Sequence, residues 1–543
     1  ALFFIFFSTS QFAYSQVPDI AWVERYNGSA NNIDGAEDMV IDEQNNIYVL
    51  NFAYDSLTNY DYVLIKYNSF GVRQWIVKYN HIGNSNDVAR KIKIDKNGNL
   101  YVTGSCNELG AYKDIVTIKY NNNGVQQWVA VYNSQYNHND EAKDMAIDSL
   151  GNIFITGNMH VDEYNSDIVT IKYNKEGVRQ WVTFYSEIHF ADDEARAITI
   201  DNNGYIYVAG YSVSFESYIL IQIVKYDTRG NFIWSRYNHG GYFKWIDSDI
   251  DIAVDINNNL IISGHKRFVS NEFTDVITLK YKSNGDMLWA ARYESPDSSN
   301  DAPTCMILDS LGNIYIAGLS VSTTPIVSID FLTIKYNSNG VQQWVQKYNG
   351  VGNSEDIATA ITLDKYGNIY VTGRSIVSID NFNIVTIKYG TDGSELWKIS
   401  YNGTANMSDM PSSIALDKNN SVLVAGGSIG VGTGLDMLLI KIAQLVNIQY
   451  ISNEIPGKYS LKQNYPNPFN PTTTIKFDIQ KQGFVTLKVY DLLGKEVSTL
   501  VRDNLLPGSY KADFTAEGLT SGVYFYRLVT NDFSDVKRMM LIK

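Results

Sequence analysis

The sequence predicts an all-β chain: an eight-bladed β-propeller of four-stranded blades, followed by a small Ig-like β-sandwich. Three observations predict this fold. A long repeat recurs eight times, each repeat holds four short strand patterns, and a Pro-rich stretch separates the repeats from a different set of strands. Tandem four-stranded antiparallel units of this length are typical of propellers.

Each repeat is marked by one tryptophan and one lysine. The tryptophans recur at intervals of 53 to 55 residues, and every lysine of the series except the last precedes a tyrosine. The Trp series is Trp22, Trp75, Trp128, Trp181, Trp234, Trp289, Trp344 and Trp397. The Lys series is Lys66, Lys119, Lys172, Lys225, Lys280, Lys335, Lys388 and Lys441. Because these residues are common to every unit, we interpret them as packing residues.

The four strand patterns of one unit are clearest in the second repeat, where they read KIKID, NLYVTG, DIVTIKY and QQWVAVY. Apolar and polar residues alternate, and β-branched or aromatic types dominate, as in half-buried strands. The fourth position of the first–second turn is always Gly or Asn, the two types that tolerate a left-handed backbone. A glycine four residues before the tryptophan marks a tight hairpin between the third and fourth strands.

The repeats begin on a fourth-type strand around Trp22 and end on a third-type strand at residues 438–442. We therefore expect the N-terminal strand to complete the last blade and close the ring, which removes exposed sheet edges. Cys106 and Cys305 fall in the second and sixth repeats, on opposite sides of such a ring. The distance between them predicts that no disulfide joins them.

The units resemble the SBBP-type bacterial β-propeller repeat. The pattern of that family, D-x-x-x-I-K-Y, then N-G, then W, then D-x-x-G-N-I-Y-V-T-G, is close to the repeats between residues 20 and 442. The resemblance implies a structural repeat and adds little about chemistry.

The first residues, ALFFIFFSTSQFAYSQ, are typical of a secretory signal without its basic start. An apolar run from Leu2 to Phe7 is followed by small and polar residues, with Ala13 and Ser15 near a cleavage point. The alternative is a buried edge strand. We assign residues 1–16 to a truncated signal peptide and residues 17–445 to the propeller. No later stretch holds 18 apolar residues in a row, so no membrane span is expected.

Residues 446–458 are interpreted as a linker and residues 459–543 as a separate domain. Pro466, Pro468 and Pro471 precede a series of alternating strand patterns, which predict a small β-sandwich. The strand patterns are TIKFDI, VTLKVYDL, KEVSTLV, GSYKADF, GVYFYRLV and KRMMLIK.

This C-terminal segment resembles the type A C-terminal sorting domain of the type IX secretion system. The matching residues are Tyr465 to Pro471, Val489-Tyr490-Asp491 with Gly494, Gly508-Ser509-Tyr510 and Gly522-Val523-Tyr524. The resemblance implies export through the periplasm to the cell surface or the medium, with the type IX machinery as partner of residues 459–543. It also implies that the domain is often removed after export. The alternative is an adhesive Ig-like domain.

Composition limits the partners of the chain. Its net charge is -14 and its pI about 5, which argues against non-specific binding to nucleic acid or anionic lipid. An aromatic content of 13% favours strands over helices. We expect a monomer.

Aspartate recurs at three positions of the repeat. The first series is Asp34, Asp87, Asp140, Asp193, Asp247, Asp301, Asp356 and Asp409. The second lies eight residues after each of these, from Asp42 to Asp417, and the third starts the third strand at Asp61, Asp114, Asp167, Asp275, Asp330 and Asp436. Calcium takes six to eight oxygen ligands, but no dense D-x-D-x-D-G loop is present. We favour capping of turn and backbone amides, predict no cofactor, and leave calcium as the alternative.

Catalytic motifs are not evident. The chain has six histidines and no H-E-x-x-H, G-x-S-x-G or C-x-x-C pattern, so we predict that it is not an enzyme. The competing hypothesis is a secreted polysaccharide hydrolase or lyase that uses carboxylates at the channel mouth.

We expect function where the repeats differ. In a propeller the short hairpins lie on one face, and the longer connections surround the channel mouth on the other. The connection HGGYFKWID (239–247) and the nearby GHKRF place aromatic side chains beside cations, which suits stacking on sugars or peptide side chains. The predicted ligand-binding residues are Tyr242, Phe243, Lys244, Trp245, His265 and Arg267. They would make the protein a non-catalytic scaffold for a glycan or protein ligand; the alternative is an aromatic plug over the core.

Overall fold

The computed structural model of the chain describes residues 18–543 except 83, 85, 108–111, 164, 187–189, 215–217, 243–249, 268–272, 297–299, 323–326, 379–380, 444–447, 453–455, 482, 506 and 517. The described residues contain strands and turns and no helix, which confirms the all-β prediction. They fall into two compact units. One consists of Ala21–Lys418 with Val422–Lys441, and the other is formed mainly by Ile442–Lys543.

The first half of the repeat region contains the strands β1 (Asp19–Tyr26), β2 (Asp34–Ile41), β3 (Ile47–Asp55), β4 (Asn59–Tyr67), β5 (Arg73–Tyr79), β6 (Asp87–Ile94), β7 (Leu100–Asn107), β8 (Lys113–Tyr120), β9 (Gln126–Tyr132), β10 (Asp140–Ile147), β11 (Ile153–His160), β12 (Ser166–Tyr173), β13 (Arg179–Tyr185), β14 (Phe190–Ile200), β15 (Ile206–Ser214), β16 (Tyr218–Tyr226) and β17 (Phe232–Tyr242). The second half contains β18 (Asp251–Val254), β19 (Leu260–Arg267), β20 (Thr274–Tyr281), β21 (Met287–Tyr293), β22 (Asp301–Leu308), β23 (Ile314–Ser322), β24 (Ser328–Tyr336), β25 (Gln342–Tyr348), β26 (Asp356–Leu363), β27 (Ile369–Ser378), β28 (Asn381–Tyr389), β29 (Glu395–Tyr401), β30 (Asp409–Leu416), β31 (Val422–Ile429) and β32 (Leu435–Ala443).

These strands form antiparallel four-stranded sheets, in the order first, second, third, fourth, and their members are consecutive in the chain except where β1 follows β32. In the described residues there are six such sheets and one eight-stranded sheet. The halves of the larger sheet, β10–β13 and β14–β17, are joined by a parallel bridge between Ser166 and Asp192. The count of eight blades therefore stays a prediction.

The core lies between successive sheets. The second and third strands of a unit are buried on both faces, whereas the fourth strand is largely exposed, so the first strand is innermost. In one core cluster, Leu50 and Tyr62 of the first unit pack with Leu100 and Val116 of the second. Strands packed on both faces must be apolar on both faces, which is why these segments are nearly continuous apolar runs.

The ring closes as the sequence predicts. β1 lies beside β32 and completes the sheet of β30, β31 and β32. A further core cluster joins the first and last units, with Ala36 and Val49 on one side and Leu423 and Leu439 on the other. Cys106 and Cys305 are not joined by a disulfide, as expected.

The first strand of the units carries a recurrent β-bulge. In β10 the register with β11 shifts between Ala142 and Asp144, so Lys143 is left out of the pairing. The same shift occurs at the corresponding place in β2, β6, β14, β22, β26 and β30. A bulge bends a strand and redirects the side chain it leaves unpaired. It therefore separates one residue of each of these seven strands from the regular packing.

The C-terminal unit is a sandwich of two antiparallel sheets. Its strands are β33 (Ile448–Ser452), β34 (Ser460–Leu461), β35 (Thr472–Ile479), β36 (Gly483–Tyr490), β37 (Glu496–Leu505), β38 (Gly508–Thr515), β39 (Gly522–Val529) and β40 (Ser534–Leu541). One sheet has the order β33-β38-β35-β34 and the other β37-β36-β39-β40. The stretch 446–458, interpreted as a linker, contributes β33 to the first of these sheets.

Candidate functional site

Most of the predicted ligand-binding side chains lie outside the described part of the structure. Tyr242 is the last residue of β17, and its backbone pairs with Tyr218. Arg267 is the last residue of β19. The side chains of both residues are outside the described part of the structure. Phe243, Lys244 and Trp245 lie outside the described residues. Their role in ligand binding stays a prediction.

His265 is placed in the wall between two units. Its side chain is 9% exposed, and its Nδ1 lies 3.0 Å from the hydroxyl of Tyr211, the corresponding residue of the preceding unit. Burial lowers the pKa of His265 to about 4, so the ring is neutral at pH 7. The neighbouring Lys266 donates from Nζ to Oδ1 of Asn238 at 2.9 Å. At neutral pH, His265 of the motif GHKRF is therefore not a cation, and Lys266 is bound to Asn238.

The first aspartate series anchors the connection that enters each unit. Its described members are at most 1% exposed, and Asp247 lies outside the described residues. Each of several carboxylates accepts a hydrogen bond from the backbone N–H six residues earlier: Asp87 from His81 at 2.5 Å, Asp140 from Ser134 at 2.5 Å, Asp301 from Ser295 at 2.9 Å, Asp356 from Gly350 at 2.6 Å and Asp409 from Gly403 at 2.6 Å. The capping interpretation is confirmed for this series.

The residue opposite the first-series aspartate differs between units. Asp301 and Asp409 each accept a second bond from the hydroxyl of the paired serine, Ser320 or Ser428. Asp140 instead faces Met159, which has no hydroxyl. Burial, with a smaller contribution from Asp114, raises the pKa of Asp140 to about 7 despite the bond from Ser134.

We predict that the free energy of unfolding rises as the pH falls from 8 to 5, and that Asp140→Asn reduces this dependence. The folded-state pKa of Asp140, about 7, lies above its ordinary value of 3.8, so folding binds a proton between these limits. The stabilisation by this carboxyl is fully present below the ordinary pKa of 3.8 and is lost as the pH rises through the folded-state pKa of about 7. The free energy of unfolding then changes by at most about 1.4 kcal/mol per pH unit. Urea titrations of both chains at pH 5, 6, 7 and 8 measure the slope. An unchanged slope in the variant would contradict the assignment.

The second aspartate series caps the turn between the first and second strands. Asp309 accepts hydrogen bonds from the backbone N–H groups of Leu311 and Asn313, both at 2.9 Å, and from the hydroxyl of Tyr315 at 3.1 Å. In two of the described units the series lysine joins this cap: Lys280 lies 2.8 Å from the carboxylate of Asp255, and Lys441 lies 2.8 Å from that of Asp417. Asp residues commonly stabilise turns in this way.

The series tryptophan and the series lysine of one unit both donate hydrogen bonds to the next unit. Trp75 Nε1 and Lys66 Nζ both donate to the carbonyl oxygen of Asn122, at 3.2 and 3.0 Å, in the third–fourth hairpin of the second unit. Lys66 Nζ also lies 5.1 Å from the ring centre of Tyr48. The Trp128, Trp181, Trp234, Trp289 and Trp344 indoles make the corresponding bond. The interpretation of both series as packing residues is confirmed.

The inner strands are joined by carboxylates in alternate units. Asp144 accepts from its own neighbour Met145 N at 2.8 Å and from Ile198 N of the next unit at 2.9 Å. Asp38 and Asp251 make the corresponding pair of bonds. Backbone N–H groups on an inner edge would otherwise lack a strand partner.

Charge is unevenly distributed round this inner ring. Four consecutive units carry Glu37, Arg90, Lys143 and Arg196 at the bulge, whereas Thr304, Thr359 and Ser412 take this position in the last three. Arg90 lies 3.7 Å from Glu37, and Arg196 lies 2.8 Å from Glu194. Sequence reasoning missed this set, although the position three residues after the first aspartate does vary between repeats in this way.

Clusters of ligating side chains and grooves are the usual places for metal ions and cofactors. Within the described ranges, no group of three or more His, Cys, Asp and Glu side chains is arranged to hold a metal ion. A groove of about 770 Å³ lies on the outer part of the ring, lined by residues that include Arg292, Glu294, Gln342 and Lys347. Arg292 is bound there to Asp275 at 2.6 Å and to Glu294 at 2.9 Å.

The Pro-rich motif of the C-terminal unit ties the two sheets of the sandwich together. Asn464 is buried. Its backbone N–H donates to the hydroxyl of Tyr526 at 2.8 Å, and its Nδ2 donates to Thr473 Oγ1 at 2.9 Å. Phe469 is buried in the core against Phe514, with ring centres 5.9 Å apart. Within the described ranges, the chain contains no helical segment that could span a membrane.

Comparison with known proteins supports both parts of this description. The family described as "Secretion system C-terminal sorting domain" matches residues 463–543, and the family described as "Beta-propeller repeat" matches residues 180–214 and 343–382. An uncharacterized WD repeat-containing protein of Acanthamoeba polyphaga mimivirus is 24% identical over 273 residues, which cover 44% of this chain and 18% of that protein. Both resemblances inferred from the sequence are confirmed.

Two similar solved structures have low sequence identity to the chain. The extracellular domains 1-2 of Drosophila Semaphorin 1a have a TM-score of 0.41 and 8% identity, covering 79% of this chain and 89% of that one. A fungal alcohol oxidase in complex with copper has a TM-score of 0.36 and 14% identity, covering 83% of this chain and 96% of that one. The chain therefore contains β-propeller repeats and a C-terminal sorting domain, and the latter directs it by type IX secretion to the cell surface or the extracellular space.

Proposed function

We propose that the protein is an exported scaffold whose propeller binds a glycan or protein ligand without catalysis. The observation that carries this proposal is the use of the recurrent carboxylates. The first series is buried and bound to backbone N–H groups, and the second caps turns. A glycoside hydrolase needs two carboxyl groups that face the scissile bond from opposite sides. Among the described residues, the aspartates of these two series whose bonds are given above act as caps of backbone N–H groups.

The ligand site is expected where the units differ, at the connections that lead from a fourth strand to the next first strand. Residues 239–247, of which the first four end β17, carry four of the six predicted residues, among them Trp245. The charged half of the inner ring adds polar groups such as Arg90 and Lys143, whose side chains are 47% and 21% exposed. Sites that bind sugars or peptides commonly combine aromatic faces with nearby hydrogen-bonding groups.

Trp245→Ala is expected to weaken ligand binding by about tenfold or more while the melting temperature stays unchanged, as for removal of an aromatic anchor. Ligands are first identified with the full chain on a glycan array, and affinities of both chains are then measured by calorimetry. Tyr366→Ala is the matched control, because Tyr366 is an exposed aromatic in a first–second turn. If Trp245→Ala unfolds the propeller, the aromatic plug is the better account.

A turnover assay separates binding from hydrolysis or cleavage. The full chain is incubated with each polysaccharide that it binds, and new reducing ends are measured. Binding without new reducing ends supports the scaffold. Reducing ends that disappear on a single Asp substitution would instead establish the secreted hydrolase or lyase.

A further inference from the structure

The Pro-rich segment of the sorting domain exposes several consecutive side chains. Tyr465 is 82% exposed, and Pro466, Asn467 and Pro468 are exposed beside it. The backbone of Tyr465, in contrast, is held firmly, since it exchanges two hydrogen bonds with Thr474, at 2.9 and 3.0 Å. A rigid backbone that presents a large exposed aromatic ring is a common property of binding surfaces.

The same segment runs along the outer edge of the terminal strand. Phe469 N donates to Met540 O at 2.9 Å, and Ile542 N donates to Phe469 O at 3.0 Å. Asn467 Oδ1 accepts from Met540 N at 2.9 Å. The segment and β40 therefore form one continuous surface, and the edge of β40 is covered at this place.

The terminal strand adds apolar and basic side chains to that surface. Residues alternate along β40, so that Met539 and Leu541 are buried, whereas Met540 and Ile542 are 39% and 50% exposed. Arg538, two residues earlier on the same side, is also exposed. An apolar patch with a basic rim is typical of a site for another protein.

The charge of the sorting domain sets it apart from the rest of the chain. Residues 463–543 contain ten Lys and Arg against eight Asp and Glu, a net charge of +2, whereas the whole chain has a net charge of -14. A partner that recognises this domain on a strongly acidic protein can be selected by the opposite charge.

We propose that Tyr465, Pro466, Pro468, Arg538, Met540 and Ile542 form the face by which the sorting domain docks on the export machinery. The partner is a component of that machinery with an apolar groove bordered by acidic side chains. The match to the sorting-domain family begins two residues before Tyr465 and continues through Ile542, so both ends of the matched region meet on this face. This inference is independent of the ligand that the propeller binds.

The test is the export of full-length variants from a bacterium that has a type IX secretion system. In Tyr465→Ser/Met540→Ser, the fraction of the chain outside the cell is expected to fall about tenfold or more, with accumulation in the periplasm, as for removal of interface anchors. Leu493→Ser is the matched control, because Leu493 is 92% exposed in the turn between β36 and β37 of the same sheet. It is expected to be exported like the unmodified chain.

Melting curves of the purified full chains show whether the variants fold. Export of the folded double variant at the control level would overturn the proposal. If the double variant does not fold, Arg538→Glu provides the same test, since it reverses a charge on an exposed side chain. Normal export of folded Arg538→Glu would then overturn it. A dimer of the purified protein that the double variant dissociates would also overturn it, because the face would then serve a second copy.

Discussion

A chain that begins at Gly28 instead of Pro18 is expected to lose the cooperative thermal transition of its propeller. The deletion removes β1, the outer strand of the sheet formed with β30, β31 and β32. Without β1, the backbone groups along one edge of β32 have no partner, and an open edge also invites aggregation. The loss is therefore larger than that of an ordinary terminal strand.

Side chains of β1 join the two ends of the ring. Arg25 donates to the hydroxyl of Ser428 and lies 3.7 Å from the carboxylate of Asp436. Trp22 packs on the cluster that links the first and last units, and its ring lies over Gly71. Loss of a large aromatic from a packed site costs about 3–5 kcal/mol when the side chain is fully buried. Since Trp22 is half-buried, the strand pairing supplies much of the effect.

Calorimetry on the two chains measures this prediction. The chain that begins at Pro18 is the control, because it retains β1 and is expected to melt like the full-length protein. The shorter chain is expected to melt at least about 10 °C lower, or in several steps, because an open ring can unfold unit by unit. Identical melting curves would show that β1 does not contribute to closure.

Gly177→Asn is expected to destabilise the propeller by about 2–3 kcal/mol, whereas Gly151→Asn is expected to be nearly neutral. Both glycines lie in tight turns of the third unit and have the same left-handed φ of 82°. A Cβ at Gly177 would lie 2.6 Å from the ring of Trp128 in the preceding unit. A Cβ at Gly151 would meet its nearest neighbour, Lys175, at an ordinary 3.6 Å.

The chain itself contains the precedent for the neutral substitution. Asn45, Asn258 and Asn420 occupy the position of Gly151 in other units, with φ values of 61°, 60° and 58°. No asparagine occurs at the position of Gly177, where seven units have glycine. The two variants thus have the same backbone requirement and differ in the indole above the turn. Denaturant unfolding of both should separate these effects, and equal destabilisation would refute the role of the Trp contact.

Sequence alone was sufficient for the units, the ring closure and the sorting domain. The reason is repetition. A strand pattern that appears once is ambiguous, but a Trp, a turn glycine and a capping Asp that recur together are compatible with few folds. The difference between the two turn types also appears in the sequence, as Gly or Asn in one and Gly in the other. Its cause, the Trp128 ring over Gly177, requires the structure because the two residues belong to different units.

The candidate site was harder to predict, for the same reason. His265, within GHKRF, has the sequence context of an exposed cation, yet it is covered by Tyr211, which is 54 positions away. The bulge residues Glu37 and Arg90 lie in a segment whose regular alternation would place them within ordinary packing, and the register shift redirects them. Contacts between units and shifts of register leave little trace in local periodicity.

Closure by β1 also determines when the ring can form. Arg25 and its partner Ser428 are 403 positions apart, so β1 can pair with β32 only when nearly all of the repeat region is available. Contacts between such distant residues form late, because the loop between them must be closed first. The sorting domain follows directly after β32 in the chain. The ring can therefore close only when the chain is available almost up to the sorting domain.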